Sequence, residues 1–136
     1  MRVSDLAKAA ETTGETVRHY TDIGLLVPRR DPENGYRIYD GTNLRRLRFA
    51  LKARSLGFTL NDILVLVEES ETGKVPCGDA RALIETRLGE VEARIAELQQ
   101  LSLRMRKAMQ AWQQAPDCRL DDGRVCGLID SFVDTD

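Results

Sequence analysis

The sequence predicts a mainly α-helical protein, with a winged helix-turn-helix domain, a long helix that pairs as an antiparallel coiled coil, and a short C-terminal loop and helix. Three observations support this fold class. Two short amphipathic segments flank a tight turn and precede a basic hairpin. Residues 78–113 then carry apolar side chains at heptad spacing. Cysteines lie at both ends of that stretch.

The first two helices are short. Val3–Ala10 has one apolar face and Ser4 as a candidate N-cap. A turn at 12–14 leads to a second helix over Glu15–Ile23, for which Gly24 is the expected C-cap. Two short helices joined by a tight, Gly-containing turn are typical of a helix-turn-helix.

A basic hairpin and two further helices follow. Asn34–Gly35 lies between extended segments, which is a strong turn signal, and Tyr36–Tyr39 is the expected return strand. Asn43–Ser55 is a third helix, and Thr59 caps a fourth helix that runs over 60–69. A hairpin placed directly after a helix-turn-helix forms a wing.

The long helical stretch has an apolar seam with coiled-coil spacing. Its members are Ile84, Leu88, Val91, Ile95, Leu98, Met105, Met109 and Trp112. A straight helix of this length spans roughly 50 Å, so Cys77 at its start cannot reach Cys118 or Cys126 after its end in the same chain. If two copies pair antiparallel, Cys77 of one chain meets the other two cysteines of its partner. The sequence thus predicts a homodimer with two shared sites of three thiolates.

Composition limits the class of protein. With 42% hydrophobic and 31% charged residues the chain is an ordinary folded one, and it has no apolar run long enough for a signal peptide or a membrane span. We therefore expect a cytoplasmic location without membrane contact. Thiols are reduced there, which favours metal binding or redox sensing over structural disulfides. The chain has no phosphate-binding loop and no nucleophile–histidine arrangement, so no enzyme is expected.

Charge is unevenly distributed along the chain. Residues 1–56 carry 11 Lys or Arg against 7 Asp or Glu, whereas residues 57–136 carry 9 against 15. A basic first half joined to an acidic remainder fits a nucleic-acid-binding domain attached to another module.

Several segments resemble the MerR family of transcriptional regulators. Thr16–Tyr20 with Gly24–Leu26 resembles its recognition helix, Asn34–Tyr39 its wing and Arg54–Leu60 its second wing. Cys126–Ile129 resembles the exit of the metal-binding loop in the family's metal sensors. The resemblance implies a homodimer on double-stranded promoter DNA. Metal binding would distort that DNA so that RNA polymerase engages both promoter elements.

The resemblance also divides the chain into parts and assigns DNA contacts. The expected parts are a winged helix-turn-helix domain at 1–70, a linker at 71–77, a dimerisation helix at 78–115, and a metal-binding loop with a short helix at 116–136. The expected DNA contacts are Thr16, Arg18, Tyr20, Tyr36, Arg37, Lys52 and Arg54. Tyr20 has the alternative of packing under the wing, and Thr16 that of capping its helix. His19 is far in sequence from every cysteine and is not an expected metal ligand.

Cys77, Cys118 and Cys126 are the expected metal ligands. Three thiolates favour a soft divalent ion, so Pb(II), Cd(II) and Hg(II) rank first, and Zn(II), which prefers four ligands, ranks next. Oxygen atoms that could complete the site belong to water, Asp117, Asp121 and Asp122. Two alternatives remain open. One is a Cu(I) or Ag(I) sensor that uses only Cys118 and Cys126, and the other is a thiol redox switch.

Overall fold

The structure is a computed structural model that describes residues 1–117 and 123–134. Within this part the chain is mainly helical, which confirms the predicted fold class. Its elements are α1 (Val3–Ala9), α2 (Gly14–Asp22), β1 (Arg29–Arg30), β2 (Arg37–Ile38), α3 (Gly41–Ser55), α4 (Leu60–Glu71), α5 (Cys77–Trp112) and α6 (Gly127–Asp130). The chain divides into two compact units, Met1–Leu88 and Gly89–Asp136. No helix in the described ranges is long and apolar enough to cross a bilayer.

α1 and α2 form the helix-turn-helix of the first unit. The predicted cap of α1 is wrong, because Ser4 lies inside the helix and Arg2 is the extended residue before it. The backbone N–H of Arg2 donates to the Asp5 carboxylate at 3.1 Å, which satisfies that amide from the first turn. α2 begins one residue earlier than predicted, since the hydroxyl of Thr13 accepts from the N–H of Thr16 at 3.2 Å.

The wing is a short antiparallel hairpin. Arg29 lies opposite Ile38 and Arg30 opposite Arg37, so each strand has only two residues. The buried side chain of Asn43 anchors the chain before the wing to α3. Its Oδ1 accepts from the N–H of Val27 at 2.9 Å, and its Nδ2 donates to the carbonyl of Val27 at 3.3 Å.

The core of the first unit lies between α1, α2, α3, α4 and the wing. Its most deeply buried side chains are Leu6, Val17, Leu25, Leu26, Tyr39, Leu47 and Ile63. Thr59 caps α4 as predicted, and the structure adds a capping box, in which Thr59 Oγ1 accepts from the N–H of Asp62 and Asp62 accepts from the N–H of Thr59. The first turns of α5 pack on this core through Ala80 and Leu83.

In the second unit, α6 packs against the end of α5. The indole N–H of Trp112 donates to the carbonyl of Leu128 at 3.1 Å. The rings of Trp112 and Phe132 meet edge to face, with their centroids 6.4 Å apart. Lys107 forms an ion pair with Asp134 at 3.3 Å. Trp112, which the sequence placed in the apolar seam, therefore contacts α6 here.

Candidate DNA interface and metal-ligand residues

α2 has one buried and one exposed face. Val17 and Tyr20 lie in the core, with 0% and 6% of their surface exposed, whereas Arg18 is exposed. Tyr20 packs in the core because it lies three residues after Val17 and shares its buried face. Its edge also lines a pocket with Thr16 and Arg54, so its DNA contact stays a prediction. The centroids of the His19 and Tyr20 rings are 5.8 Å apart. Thr16 is half-buried, and its hydroxyl lies 3.0 Å from that of Thr13.

Four arginines and an aromatic ring line a concave surface between α1, α2 and the wing. The concavity has a volume of about 670 Å³ and includes Arg2, Arg18, Arg30, Tyr36 and Arg37 among its lining residues. The Arg2 guanidinium lies 4.5 Å from the centroid of the exposed Tyr36 ring. A concave surface lined by guanidinium groups attracts phosphates.

Each of the two wing arginines that line the concavity has a polar partner. Arg37 lies 3.9 Å from the carboxylate of Asp22 at the end of α2. Arg30 donates to the carbonyl of Gly35 at 2.9 Å, across the turn of the wing. The first contact joins the wing to the end of α2, and the second holds the Arg30 side chain against the hairpin backbone.

Sequence reasoning missed Arg2 and Arg30 as parts of this surface. Arg30 had a usable signal, since it precedes the hairpin turn and an antiparallel register sets it beside Arg37. For Arg2 the sequence offered no such signal, because the contact of Arg2 with Tyr36 depends on how the start of the chain packs on the wing.

The second group of expected DNA contacts lies at the C-terminal end of α3. Arg54 is exposed, donates to the carbonyl of Phe58 at 2.9 Å, and borders a shallow pocket that it shares with Thr16 and His19 of α2. Lys52 is exposed one half-turn earlier. The structure thus brings Arg54 next to α2.

The described cysteines lie at helix starts. Cys77 is the first residue of α5 and is exposed, while Cys126 is the N-cap of α6 and is half-buried. The N–H of Cys126 donates to the carboxylate of Asp130 at 3.3 Å. Cys118 lies outside the described residues, as do Asp121 and Asp122, whereas Asp117 is exposed. Within 1–117 and 123–134, no three His, Cys, Asp or Glu side chains come together as a metal-binding group.

The carboxyl group of Asp79, two residues after Cys77, interacts with that of Glu69. A side-chain hydrogen bond with Asp79, in the first turn of α5, raises the pKa of the Glu69 carboxyl above its usual range, and the charge of Lys74 opposes this shift.

Family comparison identifies the class of protein. The profile for "MerR HTH family regulatory protein" matches residues 1–70, and that for "MerR, DNA binding" matches residues 44–108. The chain belongs to the MerR family. MerR-family members are transcription regulators and not enzymes. The resemblance to the MerR family and the expectation that the chain is not an enzyme are therefore both confirmed.

Individual MerR-family proteins resemble the chain over most of its length. The transcriptional regulator ZntR of Escherichia coli (strain K12) is 36% identical over 133 residues, which are 97% of this chain and 85% of that protein. The crystal structure of PbrR691 from Ralstonia metallidurans CH34 in complex with lead(II) is 29% identical, with a TM-score of 0.75, and the match covers 96% and 98% of the two chains. HiNmlR, a MerR-family regulator that lacks the sensor domain, was crystallised on promoter DNA. It is 25% identical with a TM-score of 0.54, over 85% and 87% of the chains.

Proposed function

We propose that this MerR-family protein is a metal-responsive transcriptional regulator that binds promoter DNA as a homodimer. A soft divalent metal ion binds three cysteine thiolates, and the dimer then distorts the promoter so that RNA polymerase engages it. The observation that carries this proposal is the position of the cysteines. Cys77 opens α5, and Cys126 caps α6 just beyond the end of α5, while the apolar seam of α5 between them is exposed.

The DNA-binding surface is formed by residues 1–70. Arg18 of α2 and Arg37 of the wing project from elements that flank one concave, basic surface. Guanidinium groups at such positions bind phosphates and fix the register of a protein on the duplex. The other proposed contacts are Thr16, Tyr36, Lys52 and Arg54. Tyr20 is also proposed, through the edge that lines the pocket beside Thr16 and Arg54.

The homodimer is supported by the exposed seam of α5. Six of its apolar side chains are about half exposed, namely Leu88, Val91, Ile95, Leu98, Met105 and Met109. A continuous apolar stripe of this length is stabilised when a second copy covers it, by roughly 25 cal/mol per Å² of buried surface. In an antiparallel pair, the start of one α5 lies beside the end of the other, so Cys77 joins Cys118 and Cys126 of the partner.

The metal is proposed to be Pb(II), Cd(II) or Hg(II), with Zn(II) less favoured. Three soft thiolates suit large soft divalent ions, and the full-length likeness to the lead-bound PbrR691 supports this class. Water or Asp117 could supply a further oxygen ligand. A Cu(I) or Ag(I) ion held by Cys118 and Cys126 alone is the competing assignment, because two thiolates suit a linear ion.

Anaerobic titration of the purified protein tests the metal assignment. Pb(II), Cd(II), Hg(II), Zn(II) and Cu(I) are added in turn while sulfur-to-metal absorption is followed, and each is then tested for activation of transcription from the protein's promoter. We expect one ion per chain and activation by a soft divalent ion. Activation by Cu(I) alone, with no loss in a Cys77→Ser variant, would instead support the two-thiolate assignment.

A further inference from the structure

The carboxylate of Asp62 joins the start of α4 to α5. Asp62 is 4% exposed. Its Oδ2 accepts from the N–H of Thr59 at 3.0 Å and from Arg87 Nε at 2.8 Å, and its Oδ1 accepts from Arg87 Nη2 at 3.0 Å. Hydrogen bonds from Arg87 hold the pKa of this carboxyl at about 2. The group is therefore charged at neutral pH and bonded through both oxygens.

The same end of α5 carries Cys77. Arg87 follows Cys77 by about three helical turns, and both belong to the first unit. Between them, Ala80 and Leu83 pack on the core of the DNA-binding domain. A displacement at Cys77 is thus applied to a stretch of helix that packs on this core and forms one ion pair with α4.

Asp62 is also linked to the expected DNA surface, because it bonds to the turn between α3 and α4. The residue before Thr59 is Phe58, a buried residue whose carbonyl accepts from Arg54 at 2.9 Å. Arg54 borders the pocket beside α2. The turn is therefore held by Arg54 from one side and by Asp62 with Arg87 from the other.

We propose that the Asp62–Arg87 ion pair transmits the metal state of Cys77 to the DNA surface, and this rests on the function proposed above. A bidentate ion pair tolerates little change of geometry, and separating it leaves a buried carboxylate unpaired, which is costly. A shift of α5 therefore carries Asp62, the capped turn and Arg54 with it. Arg87, which is neither a proposed metal ligand nor a proposed DNA contact, is a positioning residue.

Two variants break the pair in different ways. Arg87→Gln leaves the Thr59–Asp62 capping box in place. The double variant Asp62→Asn, Arg87→Gln leaves no unpaired charge in the core, so it keeps the test valid if the single variant fails to fold. Arg94→Gln is the matched control, because Arg94 lies on the same helix in an exposed pair with Glu97 at 3.2 Å.

Each full-length variant is tested with Pb(II) for dimerisation, thiolate–metal absorption, promoter affinity and transcription. A fluorescent base analogue at the centre of the promoter spacer reports DNA distortion. We expect metal binding and metal-free promoter affinity as in the wild type. The ratio of transcription with metal to transcription without it should fall by about fivefold or more, the lower end of usual coupling between sites, and the metal-dependent fluorescence change should fall with it.

The outcomes distinguish an ion pair that couples metal binding to the DNA surface from one that only stabilises the fold. A purely structural role would weaken promoter binding equally with and without metal and leave the transcription ratio as in the wild type and the Arg94→Gln control. That result would overturn the proposal. If the wild-type protein bound Pb(II) without any change in transcription or fluorescence, the proposed function itself would fail, before the ion pair came into question.

Discussion

The guanidinium of Arg2 stacks on the ring of Tyr36, so the start of the chain is held against the wing. The two residues lie on different elements and their approach gives the basic concavity one of its walls. Arg2 is thereby placed beside Arg18 and Arg37, and a phosphate bound there would meet more than one guanidinium group.

Arg37→Ala should weaken binding to all DNA sequences, because the contact proposed for Arg37 is to phosphate and not to a base. The slope of log affinity against log salt concentration should fall by about one, the value for one lost phosphate contact. Fluorescence anisotropy with a promoter fragment at several salt concentrations measures this slope. Arg18→Ala and Arg2→Ala should behave in the same way, and metal stoichiometry should stay unchanged in all three. Wild-type affinity in these variants would show that DNA binds on another surface.

The proposed homodimer depends on the exposed seam of α5. Leu88→Glu combined with Ile95→Glu would place charges within the paired interface, where they are strongly unfavourable, and sedimentation should show monomers. Leu103→Glu is the control, since Leu103 is equally exposed but lies outside the seam. A double variant that remained dimeric would show that the interface lies elsewhere.

Acid should weaken the fold partly through Asp62. Arg87 lowers the pKa of its carboxyl to about 2 in the folded state, below the ordinary value of about 4. The stabilisation is therefore complete above pH 4 and is lost as the pH falls toward 2, by at most about 1.4 kcal/mol per pH unit for one proton. Urea denaturation between pH 6 and pH 2 should show a shallower loss in Asp62→Asn than in the wild type. Equal slopes would mean that Asp62 titrates normally.

Trp112 should strengthen metal binding by holding α6, which carries Cys126 at its start. Trp112→Phe removes the hydrogen bond to Leu128, a contact worth ~1 kcal/mol, so metal affinity should fall by about fivefold. Competition with a chelator measures this change, and promoter affinity without metal should not alter. Trp112 is the single tryptophan of the chain, so its emission should also change when metal binds. An unaltered metal affinity would contradict this role for the α6 contact.

Features set by nearby residues were predictable from the sequence. The α4 cap depends on Thr59 and Asp62, three residues apart, and the turn of the wing depends on Asn34–Gly35. The buried face of α2 was also encoded by the spacing of Val17 and Tyr20.

Contacts between distant residues were not predictable in this way. Arg87 and Asp62 are 25 residues apart, and Arg87 gave no sign in the sequence that it differs from the exposed arginines of α5. Its pairing depends on where the first turns of α5 pack against α4. The position of Arg2 beside Tyr36 likewise follows from the folded wing and from no local pattern.

Each metal ion is proposed to be shared between two chains, and mixed dimers test this sharing. A Cys77→Ser homodimer has two defective sites, and so has a Cys118→Ser, Cys126→Ser homodimer. In a heterodimer of these variants one site receives all three thiols and the other receives none. We predict that it regains one tight three-thiolate site per dimer, visible as sulfur-to-metal charge-transfer absorption. A heterodimer that is intact but shows no such absorption would contradict the shared site.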